Sequence, residues 1–169
     1  MTFEQAFKEV VGLEGVYSNE ASDPGNWTGG AYNVGTLKGT KFGISAKAYP
    51  NEDIEALTLE QAQAIYHRDY WMALRCDDLS GSVASILFKQ AVNQGVTSCA
   101  KRLQKVLNLS PDGIIGPFTI AAANKADAQD LAVNFLAESL LFYTTLPTWG
   151  TYGRGWTRRV LHTAIGAFA

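Results

Sequence analysis

The segment "EVVGLEGVYSNEASDPGNWT" places a glutamate, Glu14, at the end of an apolar helical pattern. Apolar residues recur at helical spacing from Phe3 to Val11, which predicts an amphipathic helix over residues 3–14. At about 100° per residue, Glu14 falls within the apolar stripe of that helix. Burial disfavours the charged form of a carboxyl group, so we expect Glu14 to stay protonated near neutral pH and to act as a general acid.

Cleavage of a glycosidic bond needs such an acid and, in most enzymes, a second carboxylate. Asp23 lies nine residues after Glu14 in a polar loop that would keep it ionised, and Glu20 is the competing second carboxylate. Thr28 follows Asp23 by five residues, and its hydroxyl could hold a water molecule. The alternative interpretation is that Glu14 is a half-exposed group at a helix end and takes no part in chemistry.

Aromatic residues gather in two glycine-rich stretches of the chain. Flat apolar rings in exposed loops suit the faces of sugar rings, and the candidates for such contacts are Tyr17, Trp27, Tyr32 and Trp156. The alternative is that these rings anchor the hydrophobic core. The segment "TWGTYGRG", which precedes Trp156, is predicted to be the second aromatic loop.

The elements that must position these residues follow from periodicity and turn signals. Tyr32–Val34 and Lys41–Ile44 are predicted to pair as a small hairpin. Thr58 and Gln61 form a capping box that opens a helix. Further helices are predicted over "SGSVASILFKQAVNQG", "TSCAKRLQKVLNL", "TIAAANKADAQDLAVNFLAESLLFYTTL" and "WTRRVLHTAIGAF", with a turn at "PDGIIGPFT". The predicted fold class is mainly α, with about six or seven helices and a small β-hairpin.

The composition of the chain argues against several classes of function. The chain has 169 residues and a formal net charge of −2, so no global attraction to nucleic acid is expected. Cys76 and Cys99 match neither a disulfide framework nor zinc-ligand spacing, and we expect buried thiols with no metal and no organic cofactor. No run approaches the roughly 18 apolar residues of a membrane span, and no secretory signal is recognisable. We therefore expect a monomer that is made in the cytoplasm without stable membrane insertion.

Several motifs resemble those of glycoside hydrolase family 108, the phage-type N-acetylmuramidases. "EGVYSNEASDPGNWTGG" with "KFGIS" is similar to the opening motif of that family, and its Glu, Asp and Thr spacing is close to that of phage T4-type lysozymes. "LQKVLNLSPDGIIGPFT" resembles the family's C-terminal half, a predicted peptidoglycan-binding region, and "GRGWTRRV" resembles its closing motif. Two departures stand out: Val16 replaces a motif glycine, and "GAYNVGTLKGTK" lengthens the connection after Thr28.

The resemblance implies a lysozyme-like fold and cleavage of the β-1,4 bond between N-acetylmuramic acid and N-acetylglucosamine in peptidoglycan glycan strands. It carries the role of catalytic acid onto Glu14, with Asp23 and Thr28 as supporting residues. It also implies a catalytic lobe over residues 1–80 and a helical lobe over residues 81–169, packed as one unit. Asn93, in "AVNQG", is then a candidate hydrogen-bond donor to an N-acetyl group, or else a residue that caps its helix end.

Other functions fit the same residues. A lytic transglycosylase uses one glutamate and forms a 1,6-anhydro ring without water, and a chitinase would cut a related glycan. A wall-binding or injection-device module could keep the fold without turnover. We favour a phage or prophage endolysin, because a pure binding module has no need of a desolvated acid such as Glu14. Without a signal peptide, such a protein would reach the wall through a pore or a delivery device.

Overall fold

The computed structural model describes residues 1–11 and 16–168, with side chains through residue 165, and it divides into two compact units. The smaller unit comprises Phe7–Tyr66, and the larger unit comprises Met1–Ala6 together with His67–Ala169. The assignment of catalysis to residues 1–80 and of wall binding to residues 81–169 concerns function and stays a prediction.

Helix α1, Phe3–Val11, begins with a capping box. The amide of Thr2 donates to Oε1 of Gln5 at 2.9 Å, and the amide of Gln5 donates to Oγ1 of Thr2 at 3.4 Å. These reciprocal bonds satisfy N–H groups that have no partner within the helix, so the predicted start of the helix is confirmed. Phe7 is buried, as the amphipathic pattern predicts. The predicted continuation to residue 14 lies outside the described residues.

The sheet of the smaller unit is a tight antiparallel hairpin. Strand β1, Thr40–Lys41, pairs with strand β2, Ile44–Ser45. The chain reverses through Phe42 and Gly43, which have φ values of 52° and 76°. Positive φ at both central residues matches the right-handed twist of the flanking strands.

Helix α2, Leu59–Tyr66, closes the smaller unit and begins where the sequence predicts. The amide of Thr58 donates to Oε1 of Gln61 at 2.9 Å, and the amide of Gln61 donates to Oγ1 of Thr58 at 3.2 Å. The predicted capping box is therefore confirmed. Tyr66, the last residue of α2, packs against the ring of Phe7 with centroids 5.5 Å apart.

The predicted pairing of Tyr32–Val34 with Lys41–Ile44 is wrong, and Lys41–Ile44 is not one strand, because it contains the chain reversal between β1 and β2. Tyr32–Val34 is not a strand either. These residues lie in the turn between Trp27 and Leu37, which form an isolated antiparallel bridge. Asn33 has a φ of 60°, a left-handed conformation that interrupts a strand and that asparagine tolerates better than most residues. The extended segment that begins at Thr40 therefore pairs with the segment immediately after it.

The larger unit is built around helix α3, Gly81–Gln94, in which every residue from Val83 to Ala91 is buried. A helix that is predominantly apolar on all sides belongs in a core, and α3 contacts three of the helices that follow. The later helices are α4, Val96–Val106; α5, Pro117–Lys125; α6, Ala128–Thr144; and α7, Trp149–Phe168. The mainly α prediction is confirmed. Within the described residues, no helix is long and apolar enough to cross a membrane.

A cluster of aromatic rings joins the N-terminal segment to the rest of the larger unit. A π-helical stretch, His67–Met72, places Trp71 against Phe88 of α3 with a centroid distance of 5.6 Å. Phe3 packs edge-on against both rings, at 5.6 Å and 5.8 Å. Edge-to-face contacts of this kind add about 0.5–1.5 kcal/mol each to the apolar burial.

The prediction of a loop at "TWGTYGRG" is wrong, because α7 begins at Trp149, within that segment. A Cβ at Gly153 would lie 2.7 Å from the ring of Trp149, so the glycine lets this ring lie against the helix surface. Trp156 stacks on Tyr143 of α6 with centroids 4.8 Å apart. The aromatic residues that suggest a loop therefore pack against helices. Their contacts outweigh the low helix propensity of glycine, which is about 1 kcal/mol per residue.

The turn at "PDGIIGPFT" is organised by Gln104, a buried residue of α4. Its Nε2 donates to Oδ1 of Asp112 at 2.6 Å and to the carbonyl of Ile114 at 2.9 Å, and its Oε1 accepts from the amide of Gly113 at 2.8 Å. The amide of Ile114 also donates to Oδ1 of Asp112. That backbone bond, followed by the bond from Gln104, lowers the pKa of Asp112. The predicted turn is confirmed, and its anchor is a residue eight positions earlier.

Replacing Gln104 with methionine is expected to destabilise the larger unit. The apolar volume is preserved, but the carbonyl of Ile114 and the amide of Gly113 lose their partner, at a cost of about 2–3 kcal/mol in the free energy of unfolding. The pKa of Asp112 should also rise, because one of the bonds that lowers it is removed. Urea denaturation measures the first effect and carboxyl titration by NMR the second. Gln129→Met, at an exposed position of α6, is the control and should change neither quantity.

Both cysteines are free and buried, as the sequence predicts. Burial, and then the nearby Asp77 carboxylate, raises the pKa of the Cys76 thiol. Burial raises the pKa of Cys99 to about 11, with Arg102 acting in the opposite direction. The thiolate is the nucleophilic form, so a raised pKa makes both side chains unreactive in the folded protein.

Neither thiol is expected to react with DTNB at mildly alkaline pH while the protein is folded. Both pKa values lie above that range, so both sulfurs stay protonated, and both side chains are shielded from the reagent. Both should react once urea unfolds the chain. Absorbance of the released thionitrobenzoate measures the reaction, and prompt native labelling of either cysteine would contradict the burial described above.

Candidate functional site

Most of the predicted site residues lie in one loop region of the smaller unit. They are Tyr17, Asp23, Trp27, Thr28 and Tyr32. Glu14 lies outside the described residues, so its surroundings and its protonation stay a prediction. Asn93 and Trp156 belong to the larger unit. Among the residues that the structure describes, no group of three or more His, Cys, Asp or Glu side chains could hold a metal ion.

Asp23 caps a short 3-10 helix, Pro24–Asn26, in an exposed loop. Its Oδ1 accepts a hydrogen bond from the amide of Gly25 at 2.8 Å. The proline at the first position of this turn restricts the backbone that follows the cap. Oδ2 makes no hydrogen bond to any described residue. The carboxylate is therefore held by one oxygen and presents the other to solvent.

Asn26 is the buried residue that organises this loop, with 1% of its surface exposed. Its Nδ2 donates to the carbonyl of Glu20 at 3.0 Å, and its Oδ1 accepts from Oγ1 of Thr40 at 2.7 Å. Its own carbonyl accepts from the amides of Lys38 and Gly39, each at 3.0 Å. The side chain of Asn26 thus ties the candidate carboxylate loop to β1, and its peptide group ties the loop to the two residues before β1. Asn26 carries no signal in the sequence, because "PGNWT" has the composition of an ordinary turn.

Thr28 lies in an irregular hairpin that follows the 3-10 turn. Its amide donates to the carbonyl of Thr36 at 3.0 Å, and its Oγ1 accepts from the amide of Thr36 at 2.8 Å. The hydroxyl oxygen is therefore used as an acceptor, while its proton can still be donated. Gly35 has a φ of 80°, and a Cβ there would overlap Oγ1 of Thr28. Glycine is needed at this position for the threonine to sit where it does.

The candidate aromatic residues differ in how much ring surface they present. Nε1 of Trp27 donates to the carbonyl of Ala21 at 2.8 Å, which fixes the half-buried indole. Tyr32 packs edge-on against that indole with centroids 5.9 Å apart, and it remains 68% exposed. Tyr17 is half-buried, and its hydroxyl donates to the carbonyl of Lys38 at 3.2 Å. Trp27 and Tyr32 together form a fixed aromatic pair in which Tyr32 presents most of the exposed ring surface.

Two lysines fix the second half of the hairpin to the segment before α2. Nζ of Lys38 donates to the carbonyls of Pro50 and Glu52, at 2.7 Å and 3.3 Å. Nζ of Lys41 donates to the carbonyl of Glu55 at 2.7 Å. These contacts stabilise a region that has little regular secondary structure. Their positions could not be deduced from sequence, because each pair is separated by 11 residues or more along the chain.

The two predicted site residues of the larger unit have partners within it. Nδ2 of Asn93 donates to the carbonyl of Lys89 at 2.9 Å, one turn earlier in α3, and Oδ1 accepts from Nη1 of Arg159. Trp156 is half-buried and stacked on Tyr143. Both residues therefore have a structural role, which leaves their contact with a glycan as a prediction.

Comparison with known proteins identifies the family. The family model of glycosyl hydrolase 108 matches residues 7–95, more than half of the chain. The chain belongs to glycosyl hydrolase family 108. The solved structure of SagA from Brucella abortus is similar over 98% of this chain and 93% of that one, with 30% sequence identity and a TM-score of 0.82. No curated protein sequence matches the chain.

Membership of family 108 confirms the predicted resemblance and the lysozyme-like fold. The protein is a glycoside hydrolase of the lysozyme-like, peptidoglycan-degrading kind, and its substrate is a glycan. The matched range includes Glu14, Asp23 and Thr28. It ends at residue 95, so the resemblance of the C-terminal half to a peptidoglycan-binding region stays a prediction.

Replacing Asn26 with alanine is expected to loosen the loop that carries Asp23. The carbonyl of Glu20 and the hydroxyl of Thr40 would lose their buried partner, at about 1–3 kcal/mol. We expect a lower free energy of unfolding in urea and slower clearing of a peptidoglycan suspension. Asn51→Ala, at an exposed position of the same unit, is the control and should alter neither. Full activity of the Asn26 variant would show that these hydrogen bonds are not needed to position the carboxylate loop for turnover.

Proposed function

We propose that this family 108 protein is an N-acetylmuramidase, which hydrolyses the β-1,4 bond between N-acetylmuramic acid and N-acetylglucosamine. The observation that carries the proposal is the match of the family to the range that contains Glu14, Asp23 and Thr28. The exposed carboxylate of Asp23, fixed by one oxygen, supports it.

The proposed reaction begins with proton transfer from Glu14 to the leaving glycosidic oxygen. As the bond from C1 to that oxygen breaks, positive charge develops at C1. The carboxylate of Asp23 either stabilises this charge or orients a water molecule, to which Thr28 can donate its hydroxyl proton. Water then adds its hydroxide to C1, and its remaining proton passes to the Glu14 carboxylate, directly or through solvent, which restores the acid. Glu20 remains the alternative second carboxylate.

Glycan binding in this proposal falls first to Trp27 and Tyr32. Their rings are fixed relative to each other and one of them is largely exposed, as contact with a sugar face requires. Tyr17, Asn93 and Trp156 complete the proposed set of binding residues. Each already contacts the protein, so it would meet the glycan with little loss of side-chain entropy.

The proposal extends to the setting in which the enzyme acts. We infer that it is a monomeric phage or prophage endolysin, that its C-terminal half binds the wall, and that a pore or a delivery device brings it to peptidoglycan. Bacteriolysis would follow from cleavage of the glycan strands. The rivals are a lytic transglycosylase and a wall-binding or injection-device module without turnover, and the products of digestion separate all three.

Glu14→Gln is expected to slow the release of soluble fragments from purified peptidoglycan by about 10²–10⁴-fold, because glutamine cannot supply the proton. The fragments are reduced with borohydride and read by mass spectrometry. Reducible N-acetylmuramic acid ends support a muramidase, and 1,6-anhydro ends would make the enzyme a transglycosylase. Glu55→Gln, at an exposed position, is the control and should match the wild type. Equal turnover in both variants would remove Glu14 from the mechanism.

The same assay separates the two candidate partners of Glu14. Asp23→Asn and Glu20→Gln each remove one charge from the same loop and keep the shape of the side chain. We expect a large loss of turnover in the first and little change in the second. The reverse result would assign the role of second carboxylate to Glu20.

A further inference from the structure

Helix α7, Trp149–Phe168, carries an exposed stripe that the glycosidase mechanism does not use. The stripe consists of Arg154, Arg158, Leu161 and Ile165, all exposed, with Leu161 and Ile165 exposed by 57% and 68%. At about 100° per residue, these positions fall within an arc of about 60°. With a rise of 1.5 Å per residue, the stripe is about 16 Å long. Two guanidinium groups are therefore followed by two bare aliphatic side chains.

The opposite face of α7 is the one that packs against the protein. Gly153, Val160 and Thr163 are buried, and Trp156 stacks on Tyr143 of α6. The helix is thus fixed by that face, and the stripe is not part of the core. Arg159 lies outside the stripe, and its Nη1 donates to Oδ1 of Asn93 within the larger unit.

The charges around the stripe favour an anionic partner. Residues 149–168 contain three arginines and no aspartate or glutamate. Helix α3, on which α7 packs, also has no acidic residue. Helix α6 contributes Asp130 and Glu138, and Glu138 is paired with Lys105 at 2.7 Å. The electrostatic potential at the stripe is therefore positive, although the net charge of the whole chain is −2.

We propose that this stripe is a docking surface for an anionic phospholipid surface. Arginines attract anionic headgroups, and neighbouring aliphatic side chains gain free energy by entering the boundary between headgroups and acyl chains. A soluble polyanion would use Arg154 and Arg158 but would leave Leu161 and Ile165 in water. The combination of both kinds of side chain in one stripe is what favours lipid over a wall polymer.

The proposed binding is peripheral. The stripe is narrow, and the opposite face of α7 belongs to the core of the larger unit, so the helix would lie along the membrane plane without entering it. Long arginine side chains can reach headgroups while their methylene groups rest on apolar surface. Such a contact would hold a wall-degrading enzyme near the membrane that the wall encloses, independently of whether the muramidase proposal is correct.

The test is co-sedimentation of the full chain with vesicles of phosphatidylglycerol and phosphatidylcholine, compared with vesicles of phosphatidylcholine alone. We expect binding to the anionic vesicles that weakens as salt is added. Arg154→Gln with Arg158→Gln should weaken it by about fivefold per arginine. Leu161→Ser with Ile165→Ser should weaken it by about tenfold at unchanged charge. Circular dichroism of each variant shows whether its fold is retained.

Two control variants match these changes elsewhere on the surface. Lys8→Gln with Lys125→Gln removes two exposed charges, and Val133→Ser with Leu141→Ser removes two exposed aliphatic side chains of α6. Both should bind like the wild type. The proposal is overturned if the anionic vesicles are not bound, or if the controls lose as much binding as the stripe variants. It is also overturned if the Leu161 and Ile165 variant binds vesicles normally, which would make the stripe a site for polyanions such as polyphosphate.

Discussion

Two buried side-chain amides, those of Asn26 and Gln104, hold together the irregular parts of this structure. Each uses both ends of the amide: Asn26 joins Glu20 to Thr40, and Gln104 joins Gly113 to Ile114. A buried amide without partners costs about 1–3 kcal/mol, so such a side chain is stable only where donor and acceptor are both satisfied. The peptide groups of these loops have few partners in regular secondary structure. Their hydrogen bonds to the buried amides therefore fix the conformation of the loops.

This constraint explains how exposed groups can be held in place. The carboxylate of Asp23 lies three residues before Asn26, and the indole of Trp27 lies one residue after it. Neither side chain is in the core, yet the segment between them is anchored, because Oδ1 of the buried asparagine accepts from Thr40 of β1. Residues that contact a substrate have to be accessible to solvent. Their conformation must therefore be fixed by a neighbouring residue that is buried. Asn26 is that residue in the smaller unit.

Elements whose determining contacts are local can be predicted from the sequence. Thr58 and Gln61 are three residues apart, and the apolar run of α3 marks a core helix without reference to any other segment. The predictions fail at Tyr32–Val34, where the turn depends on a left-handed Asn33, and at Trp149, where ring packing stabilises a glycine-rich segment as a helix. Asn26 and Gln104 gave no signal, since their partners are set by the tertiary fold. Glu14 stays a prediction from its helical position and its family motif.

The positions of the charged residues show why the net charge of the chain says little about the charge of any one surface. Lys38 and Lys41 are half-exposed and donate to backbone carbonyls, so these cations stabilise the smaller unit. Arg154 and Arg158 carry the same formal charge but stand exposed on a helix without acidic residues. An ammonium group that donates to backbone carbonyls keeps its charge but is held against its own unit, whereas exposed guanidinium groups beside apolar side chains can meet a partner. A net charge of −2 averages over both situations, so a local cationic surface can exist on an acidic chain.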